Sequence, residues 1–168
     1  MRRTFESVTD TWHPTARPDD LKSRVFLLPL APEACLTART CVRAALRAWR
    51  LTDLVEPSLL LATELVKNAI QHAAGWDGSD LPVRLLLIYA SRTLRIEVRD
   101  PDPHNLPIWR VPAELSEFGY GLPLMDGTAD RWGVRIITTG KAVWCEIDRR
   151  DQGSLHPLPP SDGKERFS

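Results

Sequence analysis

The stretch Glu64-Leu65-Val66-Lys67-Asn68-Ala69-Ile70-Gln71-His72 decides how this chain is interpreted. It follows the apolar run Leu59-Leu60-Leu61-Ala62, and together the two segments have the period of an amphipathic helix. At about 3.6 residues per turn, Glu64, Asn68 and His72 lie along one face of that helix. Polar side chains beside a core-facing stripe indicate a helix that borders a functional site, although the spacing does not identify the site.

These side chains allow two interpretations. Asn68 could offer its side-chain oxygen to Mg²⁺, a cation that prefers oxygen ligands. Glu64, one turn earlier, could accept a proton from an attacking hydroxyl group or water. The alternative is a helix with ordinary polar residues at its solvent boundary, in which His72 interacts favourably with the negative end of the helix dipole.

The bulk properties are those of a soluble globular protein. A chain of 168 residues predicts one domain with a real core. Lys plus Arg and Asp plus Glu both total 22, so net charge does not point to nucleic acid or an anionic membrane as partner. No apolar run approaches the roughly 18 residues that span a bilayer, and no apolar segment follows Arg2-Arg3 as in an export signal. The three cysteines lack CxxC spacing and are expected to be reduced, buried thiols. We therefore expect a cytoplasmic protein without direct contact to membrane or nucleic acid.

The order of the predicted elements indicates the fold class. The elements are strand 24–28, helix 32–49, helix 53–74, strand 83–90, strand 93–99, helix 119–130, strand 133–139 and strand 142–148. This order predicts an α+β fold, a two-layer sandwich with helices on one face of a mixed, mainly antiparallel sheet. The two last strands form a hairpin that turns at Gly140-Lys141. We expect residues 1–23 to form a flexible arm, 24–150 the folded domain and 151–168 a disordered tail.

The first helix carries a basic stripe. Arg39, Arg43 and Arg47 recur every four residues, opposite apolar side chains that include Leu36. The stripe is either a solvated face or a docking face for an acidic partner.

Two further polar features follow the helices. Asp100 ends a strand, where its carboxylate either accepts a hydrogen bond from an exocyclic amine or simply forms the turn of Asp-Pro-Asp-Pro. The aperiodic, proline-rich segment 101–118 has the length of a functional lid. Gly119-Tyr120-Gly121 then precedes a predicted helix, where glycines permit close backbone approach and helix N–H groups can bind an anion. A plain loop-to-helix turn is the alternative.

Taken in this order, the motifs resemble those of the GHKL, or Bergerat-fold, ATPases. The chain is most similar to their small single-domain branch, the anti-sigma-factor serine/threonine kinases and related actinobacterial ATP-binding regulators, over residues 24–148. Glu64 to Ala69 with His72 resembles the N box of the family, and Val98-Arg99-Asp100 resembles the start of the adenine-binding box. Gly119-Tyr120-Gly121-Leu122 resembles the glycine-rich box. Segments 129–133 and 140–144 resemble the closing hairpin of the branch.

The resemblance implies a role for each matching residue. Asn68 is the implied Mg²⁺ ligand and Glu64 the general base that activates the acceptor. Asp100 is implied to bind the adenine amine, and the backbone of Gly119 and Gly121 to contact phosphates beneath an ATP lid. Further nucleotide contacts are implied for His72, Asp102, Tyr120, Leu122 and Thr139.

Several residues depart from the family pattern. Pro101 and Pro103 stand where glycines are usual, and they stiffen the backbone and remove donors. Tyr120 stands where this branch often has Arg, and Ala142 where a Thr commonly helps to bind adenine. Nucleotide binding is expected to survive these changes more readily than turnover.

The function implied by the resemblance is an ATP- and Mg²⁺-dependent transfer of phosphate to a serine or threonine of a small antagonist protein. The alternative is an inactive ATP-binding module that sequesters a sigma factor or another partner. The resemblance also leads us to expect a homodimer. The catalytic half of a sensor histidine kinase is disfavoured, because no membrane span and no phosphoacceptor hairpin is apparent.

Overall fold

The structure is a computed structural model that describes residues 20–73, 81–104 and 127–150. Its elements are β1 (Lys22–Leu28), α1 (Ala34–Ala48), a 3₁₀ turn (Thr52–Leu54), α2 (Val55–Ala73), β2 (Val83–Ala90), β3 (Thr93–Asp100), β4 (Arg131–Ile137) and β5 (Gly140–Asp148). The predicted flexible arm up to residue 19, the lid beyond His104, the helix start at Gly119 and the C-terminal tail lie outside the described residues.

The five strands form one sheet in the order β1-β2-β3-β5-β4. Each neighbouring pair is antiparallel, so the described strands contain no parallel component of the mixed sheet that the sequence predicted. Both helices cover the same face of this sheet, and α2 packs mainly against β3. The α+β class and the two-layer arrangement are confirmed.

The helix that carries the decisive stretch follows the 3₁₀ turn. Pro57 lies in its first turn, where a missing N–H removes no helical hydrogen bond. Its apolar side chains recur at helical spacing and bury one face against the sheet and α1. The buried residues of this face are Leu59, Leu61, Ala62, Leu65, Val66 and Ala69.

Helix α1 buries a narrower face than the sequence suggested. Ala34, Ala38 and Val42 are fully buried, but Leu36 is 72% exposed. Because Leu36 lies two residues from each of two buried positions, it points about 160° away from them around the helix axis. The prediction that Leu36 belongs to the apolar side of α1 is therefore wrong.

Every second residue of β3, from Leu94 to Val98, turns an apolar side chain toward the helices. Leu94, Ile96 and Val98 are buried in the core beneath the helices. The turn from β2 to β3 consists of Ser91 and Arg92, with φ angles of 48° and 68°. Positive φ at both central residues is typical of the two-residue turn that suits the twist of a hairpin.

The second hairpin turns two residues earlier than predicted. Its turn is Thr138-Thr139, and Gly140 already pairs with Ile137 at the start of β5. The prediction of a turn at Gly140-Lys141 is therefore wrong. Gly140 has a φ of 135°, but it uses this freedom to lie close to the end of β3 and not to turn the chain.

The sheet face turned away from the helices holds a group of interlinked charged residues, called here the sheet-face cluster. Arg95 and Glu97 are 1% and 2% exposed, and the Arg95 guanidinium lies 4.0 Å from the centre of the Trp144 ring. Gly133 makes room for that ring, since a Cβ there would come within 2.7 Å of it. The cluster consists of Arg95, Glu97, Arg99, Arg131, Arg135, Glu146 and Asp148.

All three cysteines are free, as expected, but only Cys145 is fully buried, whereas Cys35 and Cys41 are partly exposed. Burial raises the pKa of the Cys145 thiol well above its ordinary value. Within the described parts of the chain, no helix combines the length and apolar character needed to cross a membrane.

Candidate functional site

Helix α2 places the predicted base and metal ligand at the edge of its buried face. Glu64 and Asn68 are partly exposed, one turn apart, beside the buried Leu65 and Ala69. The Glu64 side chain is 18% exposed, and its Oε2 lies 4.0 Å from Nζ of Lys67. A pair this long leaves Glu64 available to accept a proton from another donor.

The first turn of α1 lies near Glu64 and Lys67. Burial is the largest influence on the Cys35 thiol and raises its pKa, and the negative charge of Glu64 raises it further. The positive charge of Lys67 acts in the opposite direction. The electrostatic effect of Glu64 on Cys35 indicates that this carboxylate lies near the first turn of α1.

Asp100 is the last residue of β3 and is 2% exposed. It lies on the face of the sheet that the helices cover, because it is an even number of residues from Ile96 and Val98. Its Oδ1 accepts a hydrogen bond of 2.7 Å from Nζ of Lys141, its pairing partner on β5. Asp100 is therefore half of a buried ion pair.

The chain leaves β3 through two successive turns closed by aspartate side chains. The backbone N–H of Asp102 donates to Oδ1 of Asp100 at 3.0 Å. The backbone N–H of His104 donates to Oδ1 of Asp102 at 2.8 Å. Pro101 and Pro103 occupy the alternate positions, where no N–H is needed for this pattern. The departure from glycine therefore produces a turn stabilised by its own side chains.

One buried oxygen of Asp100 lacks a hydrogen bond from the described residues. Oδ2 has no solvent access and no hydrogen-bond partner among the described residues. A buried acceptor without a partner costs about 1–3 kcal/mol, and such an atom calls for an explanation. An exocyclic amine supplies the N–H donor that it lacks. The chemistry of this oxygen thus fits an adenine base.

The ionisation of Asp100 reflects two opposing influences. Burial is the larger and raises the pKa of this carboxyl group above its ordinary value. The hydrogen bond and positive charge of Lys141 act against it, as does the hydrogen bond from the Asp102 backbone. Lys141 is thus the side chain that favours the charged form of Asp100 most strongly.

Gly140 brings β5 close enough for this contact. A Cβ at residue 140 would overlap the carbonyl oxygen of Asp100 and the backbone of Pro101. No other residue type fits here without moving the end of β3. The glycine that the sequence suggested as a turn residue therefore shapes the site.

The structure brings Asp100 and Asp102 together in the turn after β3. Glu64 and Asn68 lie on α2, the helix that packs against that strand. Thr139 lies exposed in the β4–β5 turn. His72 lies at the end of α2, but its side chain falls outside the described part of the chain, as do residues 119–122.

Lys141 is the site residue that the sequence did not reveal. On β5, the residue that departs from the family pattern is Ala142, which pairs with Arg99. Since side chains alternate along a strand, Ala142 lies on the face opposite to Asp100 and Lys141. The burial of Lys141, at 1% exposure, was the missing signal, and it depends on a strand register that local sequence does not give.

The fold, the buried carboxylate of Asp100 and the polar edge of α2 together are typical of an ATP-binding α+β domain. Residues 28–147 match the model of the histidine kinase-like ATPase domain. This chain belongs to that family, which is part of the GHKL, or Bergerat-fold, superfamily.

Two other proteins are similar to this chain, one in sequence and one in fold. It is 39% identical over 85 residues to an uncharacterized protein of Streptomyces coelicolor, covering 50% of this chain and 78% of that protein. The crystal structure of the RsbU and RsbW domains of Rv1364c from Mycobacterium tuberculosis has a similar fold, with a TM-score of 0.54 and 14% identity. That match covers 77% of this chain and 34% of the solved one, so this chain spans about a third of its length.

Proposed function

We propose that this protein is an ATP- and Mg²⁺-dependent regulator of the anti-sigma-factor type, which phosphorylates a serine or threonine of a small antagonist protein. The observation that carries the proposal is Asp100, a buried carboxylate at the end of β3 with one oxygen that lacks a hydrogen bond. The neighbouring helix α2 supplies a carboxylate and a carboxamide one turn apart. Membership in a family of ATPase domains supports ATP as the nucleotide.

The proposed binding mode follows from donor and acceptor chemistry. An ionised carboxylate only accepts hydrogen bonds, and the amine of adenine donates them, so Oδ2 of Asp100 binds this amine. Asn68 would hold Mg²⁺ through its side-chain oxygen, where the ion would neutralise charge on the phosphates. Residues that complete the nucleotide site in this proposal are His72, Asp102, Gly119, Tyr120, Gly121, Leu122 and Thr139.

Glu64 is the proposed base for the transfer. As the acceptor hydroxyl oxygen bonds to the γ-phosphorus, its proton passes to Glu64. The bond between that phosphorus and the bridging oxygen breaks and ADP leaves. Such transfer depends on positioning and charge and needs no covalent enzyme intermediate.

A pair of substitutions on α2 tests these assignments. Asn68→Ala should abolish Mg²⁺-dependent nucleotide binding in calorimetry, while Glu64→Gln should bind Mg-ATP normally. With radiolabelled ATP and candidate antagonist domains, Glu64→Gln should lose the transfer of label by at least about 100-fold, the usual contribution of a positioned base. Gln71→Ala and Glu56→Gln are matched controls, because both residues are exposed on the same helix.

The outcomes separate two functions. Normal Mg-ATP binding by Asn68→Ala would show that the metal assignment is wrong. Tight nucleotide binding without transfer to any antagonist would favour the second candidate, an inactive module that sequesters a sigma factor or another partner. The stiff exit from β3 through Pro101 and Pro103 favours this second candidate, because it holds the start of the proposed lid in one shape.

Partner and assembly belong to the same proposal. An antagonist protein or a sigma factor is the expected partner, and two copies of the chain are expected to associate. Nucleotide-dependent pull-down with purified antagonist-like domains and sigma factors tests the partner. Light scattering of the purified protein tests the homodimer.

A further inference from the structure

Lys141 is a lysine in a place where lysines are rarely found. Its side chain is 1% exposed and lies in the helix-covered layer, next to the end of β3. A buried ammonium group is costly unless it is paired and hydrogen-bonded. Nζ meets this condition with two short bonds, 2.7 Å to Oδ1 of Asp100 and 2.8 Å to the carbonyl oxygen of Asp102.

These contacts determine which oxygen of Asp100 is left without a hydrogen bond from the described residues. Oδ1 accepts from both the Lys141 ammonium and the Asp102 backbone N–H. Oδ2 accepts from none of the described residues. Because Lys141 also bonds the carbonyl of Asp102, it fastens the turn after β3 to β5 and fixes the carboxylate in one orientation.

We propose that Lys141 is a positioning residue that keeps Asp100 as an oriented, ionised acceptor and thereby makes the site prefer a 6-aminopurine to a 6-oxopurine. This inference rests on the proposed nucleotide site. It adds a residue that acts on the base through Asp100, without contacting the base itself.

The selectivity follows from the protonation state of Asp100. An ionised carboxylate accepts a hydrogen bond from the 6-amino group of adenine. It cannot form one with the 6-oxo group of guanine, because both groups are acceptors. A neutral carboxyl group has an O–H that can donate to this 6-oxo group. Loss of the Lys141 charge, with Asp100 still buried, would therefore shift the preference toward guanine.

Among the described residues, two charged groups act on Asp100. Lys141 faces it from β5, and Asp102 faces it from the turn after β3. The negative charge of Asp102 disfavours the ionised form, and burial disfavours it more. Lys141 is thus the positive charge that opposes both.

The test compares wild type with Lys141→Met, which removes the charge and the donor but keeps an unbranched side chain of similar length. Binding of ATP and GTP is measured by calorimetry between pH 5 and 8. We expect the ratio of ATP to GTP affinity to fall about 10- to 100-fold in Lys141→Met, the range for a hydrogen bond to a charged group. Lys22→Met on β1 is the control and should keep the wild-type ratio.

Further variants distinguish the loss of the Lys141 charge from a general loss of folding. Lys141→Arg keeps the positive charge and should retain most of the preference for ATP over GTP. Lys141→Gln keeps a hydrogen-bond donor but no charge, and should lose this preference over the same pH range as Lys141→Met. In an Asp100→Asn background, Lys141→Met should change the ATP to GTP ratio no further, because the two residues act as one unit.

A titration without nucleotide separates this inference from the proposed function. Carboxyl-carbon NMR of the free protein should show a higher pKa for Asp100 in Lys141→Met than in wild type. Failure of wild type to bind either nucleotide would refute the proposed function, and the titration would still decide whether Lys141 controls Asp100. An unchanged Asp100 titration, an unchanged ATP to GTP ratio or tighter ATP binding in Lys141→Met would each overturn the inference.

Discussion

Buried charges lie on both faces of the sheet, and the two groups differ in whether both oxygens of each buried carboxylate accept a hydrogen bond. In the sheet-face cluster, Arg95 donates to one oxygen of the buried Glu97, and Arg99 and Arg135 donate to the other. The two oxygens of the buried Glu146 accept from Arg95 and Arg131. On the helix-covered face, Asp100 has one bonded oxygen and one without a partner in the described chain.

The difference teaches how to tell a structural ion pair from a binding group. A buried polar network in which each oxygen is satisfied stabilises one packing arrangement and offers nothing to a ligand. A buried pair with a spare acceptor carries a cost that a ligand can remove. We therefore expect substitutions in both groups to lower stability, because both contain buried ion pairs, but only those at Asp100 to weaken nucleotide binding.

The largest expected effect is on stability. Glu97→Ala removes the acceptor of the buried Arg95 and should lower the free energy of unfolding by about 3–5 kcal/mol, as for other broken buried pairs. Urea unfolding measures this loss. ATP affinity of the folded fraction should stay at the wild-type value, and a loss of affinity would show that the two faces are not independent.

The next effect concerns the other face. Asp100→Asn places an N–H₂ group or a weaker acceptor opposite the adenine amine, and should weaken ATP binding about 10- to 100-fold. Calorimetry measures the affinity, and the unfolding transition of the same sample measures stability. A variant that unfolds like Glu97→Ala but binds ATP normally would contradict the division of roles.

The pH dependence of stability should have opposite signs for the two carboxylates. Burial alone would raise the pKa of Glu97, but the hydrogen bond from Arg99 and the charges of Arg135 and Arg95 outweigh it and lower the pKa. Its stabilisation is present above the unfolded pKa and is lost as pH falls through the folded pKa. The pKa of Asp100 is raised, so its contribution is present below the unfolded pKa and is lost as pH rises through the folded pKa.

Unfolding at a series of pH values from about 3 to 7 checks these signs, with an expected size of about 1.4 kcal/mol for each unit by which a pKa is shifted. The advantage of wild type over Glu97→Gln should grow as pH rises. The advantage of wild type over Asp100→Asn should shrink over the same range. Parallel curves for the two variants would contradict the assigned shifts.

The smallest effect is expected at the exposed rim of the sheet. Arg150 is 85% exposed in its ion pair with Asp130, so solvent screens their attraction. Arg150→Ala should change neither ATP affinity nor, by more than about 0.5 kcal/mol, the free energy of unfolding. It serves as the baseline against which the effect of Glu97→Ala is measured.

The parts of the fold that were predictable are those set by local periodicity. The buried face of α2 and the alternation of Leu94, Ile96 and Val98 follow from side-chain spacing within one element. The family resemblance added the expectation that Glu64, Asn68 and Asp100 belong to one site, and the structure places α2 against β3.

The parts that were missed depend on pairing between distant segments. Asp100 and Lys141 are 41 residues apart in sequence, and only the register of β3 and β5 makes them partners. The β4–β5 turn was misplaced because Gly140 is the stronger local turn signal than Thr138-Thr139, which are β-branched. Gly140 is instead needed because β5 lies close to the end of β3 at this position, and this packing cannot be read from the local sequence.

The double aspartate turn after β3 limits what this segment can offer to a triphosphate. Pro101 and Pro103 carry no amide hydrogen, and the amide hydrogens of Asp102 and His104 are already given to the carboxylates before them. From residue 101 to 104 the main chain therefore has no free amide with which to cradle an anion. In the proposed site, donors to the phosphates would therefore have to come from other parts of the chain or from a metal ion, and this turn could contact only the base.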